Sequence, residues 1–148
     1  MGFRFPTAVG RIGYLSASEA PRGNKMLDWD AVRARANDDD EFRIHARFWN
    51  ATVRLGVGHR NYKMRIDDGS VRSIERWPGG VATDLAIHAP QADWEAMLAT
   101  TPRPFYQDLY AAGIHHDFEV AGDTTNYCAY YPAVRRLIEI MREVNNAD

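Results

Sequence analysis

From Arg47 to His88 the chain alternates apolar and polar residues with a period of two, and this constrains the fold more than any other feature. Trp49, Ala51, Val53, Leu55 and Val57 fall on one side of a strand, with Phe48, Asn50, Thr52 and Arg54 on the other. Gly58-His59-Arg60 turns the chain, and Tyr62 to Ile66 alternates again. Asp67-Asp68-Gly69 is a tight-turn signal leading into a third strand over Val71 to Trp77. Pro78-Gly79-Gly80 breaks that strand, and a fourth is expected over Val81 to His88, with Val81, Thr83, Leu85 and Ile87 on one face. Such a run of strands describes an antiparallel sheet with one face covered and one face wet.

Helical patterns supply the cover. Leu27 to about Asn37 reads as a short helix with Asp28 at its N-cap and Trp29, Val32 and Ala36 as its apolar stripe. Asp38 to Glu41 lacks the spaced oxygen ligands of a calcium loop and is expected to cap another helical turn, with Phe42 and Ile44 packed inward. Pro90 opens a helix carrying Trp94, Met97 and Leu98 at i, i+3 and i+4. A further helix is expected over Arg103 to Ala112, stacking Phe105 with Leu109 and Tyr106 with Tyr110 before stopping at Gly113. A fifth strand follows, with Ile114, His116, Phe118 and Val120 on its inner face. After Gly122-Asp123 comes a last helix, regular from Pro132, whose stripe is Val134, Leu137, Ile138 and Met141. The fold class is therefore α+β, a five-stranded, mostly antiparallel sheet with helices on one face. Residues 1–25 hold no such period and read as an N-terminal arm before a single domain over 26–148.

The 148 residues carry a formal net charge of −2, so the basic excess of a nucleic-acid binder is missing. No apolar run approaches the ~20 residues needed to cross a bilayer, and the first residues do not form a signal peptide. A lone cysteine, Cys128, excludes an internal disulfide and fits a reducing, cytoplasmic setting. The oligomeric state stays open between monomer and homodimer.

Motifs of chemistry are sparse. His115 and His116 are neighbours on the expected strand and point to opposite faces, so they cannot share a metal there; no metal and no other cofactor is expected. Cys128 reads as a packed, inert thiol at a helix start. No nucleophile elbow, phosphate loop or dinucleotide fingerprint occurs. His116 alone among ionisable residues falls on an inner face. It reads as a core histidine bonded to a carbonyl or a tyrosine hydroxyl, or as the polar handle of a ligand cavity.

Two stretches carry a resemblance. One is MRIDDGSVRSI, a strand, an Asp-Gly turn and a strand. The other is ATDLAIHAPQADWEAMLATTPRPFYQDLYAAGIHHDFEVAGD, in which Trp94 with Met97-Leu98, then Phe105, Gly113, Phe118, Val120, Gly122 and Asp123, stand where two helices and a last strand are expected. With Leu137 in the closing helix, the pattern from about 42 to 142 resembles the sterol carrier protein 2 family of lipid-transfer domains. It departs from that family in the arm at 1–25 and in His116. The resemblance implies an apolar tunnel between sheet and helices that takes sterols, fatty acyl chains or other lipophiles without covalent chemistry. Trp94, Met97, Leu98, Phe105, Leu109, Phe118 and Leu137, on the inward stripes, would line it, with His116 behind them. The arm would gate it. The contrasting reading is a small cavity enzyme, an isomerase, cyclase or hydrolase, with His116 as acid and base.

Overall fold

The structure, a computed structural model, describes residues 27–147, so the arm expected over 1–25 lies outside the described residues. Helix α1 (Trp29–Asp38) starts at Asp28, whose carboxylate accepts from the Ala31 amide at 3.0 Å. Helix α2 (Asp40–His45) follows at once, capped by Asp39 on the Phe42 amide at 2.7 Å. Phe42 is buried, but Ile44 is 70 % exposed, against the sequence-based expectation. Two residues apart on a helix is about 200° of rotation, so one short turn cannot bury both.

Strands β1 (Ala51–Val57), β2 (Arg60–Asp67) and β3 (Ser70–Arg76) form an antiparallel meander. Asp68 and Gly69 join β2 to β3 with φ of 47° and 77°, the paired left-handed residues of a two-residue hairpin turn. Strand β4 is Leu85–Ala89, shorter than the expected 81–88, and it pairs with β1 in parallel. To run beside β1 in the same direction, the chain must return to the end where β1 begins. Residues 77–84 are spent on that return, and Val81 stays exposed. Strand β5 (Glu119–Gly122) closes the sheet antiparallel to β4, giving the order β3-β2-β1-β4-β5. The sheet is mixed, mostly antiparallel, with one parallel pair.

Helix α3 (Gln91–Met97) follows β4 directly. Helix α4 spans Leu109–His115, not 103–112, because the Asp108 carboxylate caps it by accepting from the Ala111 amide at 2.8 Å. Gly113 lies within α4, and Ile114 and His115 belong to this helix, so β5 is only four residues long. Helix α5 (Thr124–Ala129), capped by Asp123, exposes Cys128, which corrects the reading of a packed thiol. Helix α6 (Tyr131–Asn145) has Pro132 in its first turn and buries Ala133, Val134, Leu137, Ile138, Ile140, Met141 and Val144 along one face.

Inward residues of β1 and β2, among them Val53, Leu55, Met64 and Ile66, join these helix faces in one apolar cluster. Their alternates Thr52, Arg54, Lys63 and Arg65 stay at least partly exposed. Asn37 at the end of α1 exchanges two hydrogen bonds with the Val71 backbone, at 2.9 and 2.8 Å, which covers part of the β3 edge.

Candidate functional site

Six of the eight residues singled out by sequence meet in the layer between sheet and helices. Trp94, Met97, Leu98, Leu109, Phe118 and Leu137 are each buried and belong to the single core cluster. The Trp94 and Phe118 rings meet edge to face at 4.9 Å. The Trp94 indole N–H also donates to the Gly56 carbonyl at 2.8 Å, tying α3 to β1.

Phe105 and His116 stand elsewhere. Phe105 lies in the loop before α4 at a φ of 69°, 44 % exposed, its ring stacked on His115 at 3.8 Å. His116 is the C-cap of α4 and half-buried. Its ring stacks on Tyr106 at 3.7 Å and its Nε2 lies 3.1 Å from the Pro104 carbonyl oxygen. The expected partner type, a backbone carbonyl, is present, but the inward placement is not. That placement required a strand at 114–118, and the Asp108 cap moved the helix into it.

The layer itself is apolar. Among the described residues no charged or polar residue is buried whole. None of them form a group of three or more His, Cys, Asp or Glu able to hold a metal. Burying a side chain of Leu or Met size contributes about 1.5–3 kcal/mol, so this layer is the main store of stability.

Polar groups gather at its rim. Tyr127, on α5, is buried, and desolvation first, then Tyr131, pushes its phenol far up. It lines a crevice with Leu85, Val120 and Gly122 that is too narrow to seat a water molecule. Burial first, then Asp117, raises the Glu119 carboxyl, whose Oε2 is buried without a partner. Arg142 on α6 donates from Nε to the Met97 carbonyl at 2.9 Å, while its Nη2 is buried with no partner. Sequence reading passed over Arg142, because an arginine late in a helix reads as a solvated C-terminal charge. A wider depression, about 630 Å³, opens on another surface beside Arg43, Ile44, Arg47 and Phe48, away from the layer.

Comparison with solved structures decides the fold. A crystal structure of sterol carrier protein 2 superposes with a TM-score of 0.64 at 21 % identity, covering 78 % of this chain and 93 % of that one. The fold is that of sterol carrier protein 2. A Thermus thermophilus protein described as possibly a sterol carrier protein shares this sterol-carrier fold at a TM-score of 0.61 and 20 % identity, covering 77 % and 83 % of the two chains. The UbiJ-SCP2 ubiquinone synthesis protein shares it at 0.52 and 15 % identity, over 74 % and 86 %. No protein-family model matches the sequence, and no curated protein matches it. The sterol-carrier fold here contains no helix, among the described residues, long and apolar enough to cross a membrane.

Proposed function

We propose that this chain binds and transfers an apolar small molecule, a sterol, fatty acyl chain or other lipophile, held between sheet and helices. The observation that carries the reading is the apolar layer under α3 and α4, in a fold shared with sterol carrier protein 2. Trp94, Met97, Leu98, Leu109, Phe118 and Leu137 would contact the ligand. Phe105, on the loop above, and His116, clamping that loop, would sit at its margin.

The energetics suit such a role. A lipophile that loses ~300 Å² of apolar surface to the protein gains about 7.5 kcal/mol before entropy costs, at 25 cal/mol per Å². Entry means parting α3 and α4 from the sheet, and both are short, seven-residue helices. The enzyme alternative places an acid and base at His116, whose half-buried ring stacks on Tyr106 and has a backbone carbonyl, not a carboxylate, beside its Nε2.

Titration of the full chain with a pyrene-labelled fatty acid tests the proposal. Saturable binding at one site per chain, displaced by unlabelled lipid and weakened by Leu137→Trp, is the expected result. No saturable binding would overturn it.

A further inference from the structure

Ile44 and Phe48 are 70 % and 64 % exposed, and both line the depression of about 630 Å³ beside α2 and the β2–β3 turn. The alternation that buries Trp49 puts Phe48 on the outer side with Asn50, so the core does not take it. Its backbone is held at a φ of 69°, a costly region for a bulky residue. The frame around it is rigid. The Trp49 N–H donates to the Ala46 carbonyl at 2.8 Å, and the Gly69 N–H donates to the Trp49 carbonyl at 2.9 Å. Gly69 lets the turn close on this loop, since a Cβ there would meet the Ala46 carbonyl oxygen at 2.6 Å. The Arg47 guanidinium lies 4.6 Å over the Phe48 ring. A phenyl group presented in this way loses little freedom when it is covered.

The charges around the two apolar residues balance. Arg43 and Arg47 stand against Asp40 and Asp68 on the same rim. A polyanion such as a nucleic acid or an anionic membrane would meet both carboxylates, so the face does not suit one. A second copy of the chain suits it better. Asp40, Arg43, Ile44 and Arg47 recur at i, i+3, i+4 and i+7 along α2 and the turn after it, so their common face runs from an acidic to a basic end. A two-fold axis lays two such faces antiparallel. Asp40 of each copy then meets Arg47 of the other, and Ile44 of each packs on the aliphatic stem of Arg43 across the axis. Phe48, one residue further on, reaches the depression of the opposite copy. The chain itself makes little use of the pair on α2: Arg43 and Asp40 approach only to 3.8 Å, with side chains 63 % and 93 % exposed.

We infer that the outer face of α2 is the contact of a two-fold homodimer, with Ile44 and Phe48 at its centre and Asp40 paired to Arg47 at each end. The inference stands apart from the carrier reading. Its size sets its strength. A handful of residues a side falls well short of the roughly 20–30 of a standard interface, so the dimer is weak, with a dissociation constant on the order of 100 µM.

Sedimentation equilibrium of the full chain across that concentration range tests it, and the average mass is expected to climb from 16.8 kDa toward twice that value. Asp40→Arg or Arg47→Asp alone should weaken association at least about tenfold, by setting like charges opposite each other. An equimolar mixture of the two variants should regain the wild-type strength, because in the mixed dimer opposite charges meet at both ends. Phe48→Ser should dissociate the dimer as well, whereas Ile114→Ser, at a 62 % exposed position on α4, should leave it intact. Every one of these side chains is exposed, and thermal melts check that each variant is folded. A monomer at every concentration, a dimer that survives both charge reversals, or a mixture that fails to recover would each overturn the proposal. So would a monomeric chain that binds vesicles of phosphatidylcholine and phosphatidylserine through Phe48, which would assign the face to a membrane.

Discussion

The indole N–H of Trp94 on α3 and the carbonyl oxygen of Gly56 on β1 are joined by a 2.8 Å hydrogen bond in the buried interior. One side chain therefore contributes both apolar area and the polar link that sets the height of α3 over the sheet. Trp94→Phe keeps most of the area and removes the link. Its expected cost is about 1–3 kcal/mol by chemical denaturation. Trp94→Ala loses both, with an expected cost of about 3–5 kcal/mol. Equal costs for the two variants would show that the hydrogen bond contributes nothing.

Asp39 and Arg136 staple α2 to α6 through two hydrogen bonds, at 2.8 and 3.0 Å, with side chains only 19 % and 18 % exposed. The Arg136 guanidinium is the main reason that the Asp39 carboxyl is held down to about 2, from an ordinary 3.8. A carboxyl depressed on folding stabilises the protein above its unfolded pKa and loses that effect as pH falls through the folded one. Stability is thus expected to drop between about pH 4 and pH 2, by on the order of 1–2 kcal/mol from this group. Asp39→Asn should flatten that limb of the denaturation profile while lowering stability at neutral pH.

Gly122 ends β5 at a φ of 117°, with the Asp84 backbone carbonyl where a Cβ would lie. Asp84 cannot yield, since its own backbone bonds Thr52 and Asp123 at 2.9 and 2.8 Å. Gly122→Ala is expected to cost about 2 kcal/mol or more. Gly79→Ala serves as control: its φ is 80°, but nothing lies within 4 Å of the added carbon. Its cost should stay near the ~1 kcal/mol of left-handed backbone alone, and thermal melts of the two variants separate collision from conformation.

Phe105 and Leu109 share an expected helical face in the sequence and have opposite fates in the structure. Leu109→Ala empties a buried site and should cost about 2–5 kcal/mol. Phe105 is 44 % exposed at a φ of 69°, so Phe105→Gly gives up a partial stack on His115 and relieves the backbone. Its melting temperature should change by no more than a few degrees.

These contrasts also mark what the sequence carries. The hairpins were legible because period-two alternation and an Asp-Gly pair are local signals; Asp28 announced α1 as its cap, and the acidic run Asp38 to Glu41 announced α2, within which the structure picks out Asp39. The parallel pairing of β1 with β4 was not, since alternation identifies a strand's faces and says nothing of its neighbour or direction. Asp108 is a cap of the same kind as Asp28, but the aromatic spacing of Phe105, Tyr106, Leu109 and Tyr110 imitated a helix begun earlier. That one displacement took Phe105 and His116 out of the layer, while the other six residues, on well-spaced stripes, lie buried in it. The unpaired Arg142 nitrogen had no local signal, because its burial arises from α3 packing on α6.

The carrier reading is tested most directly by native mass spectrometry of the full chain, freshly purified and then mixed with increasing amounts of palmitate. The account requires a one-to-one complex that survives gentle activation and is displaced by excess unlabelled fatty acid from an isotope-labelled preparation. A spectrum showing only the bare 16.8 kDa chain at every palmitate concentration would contradict it.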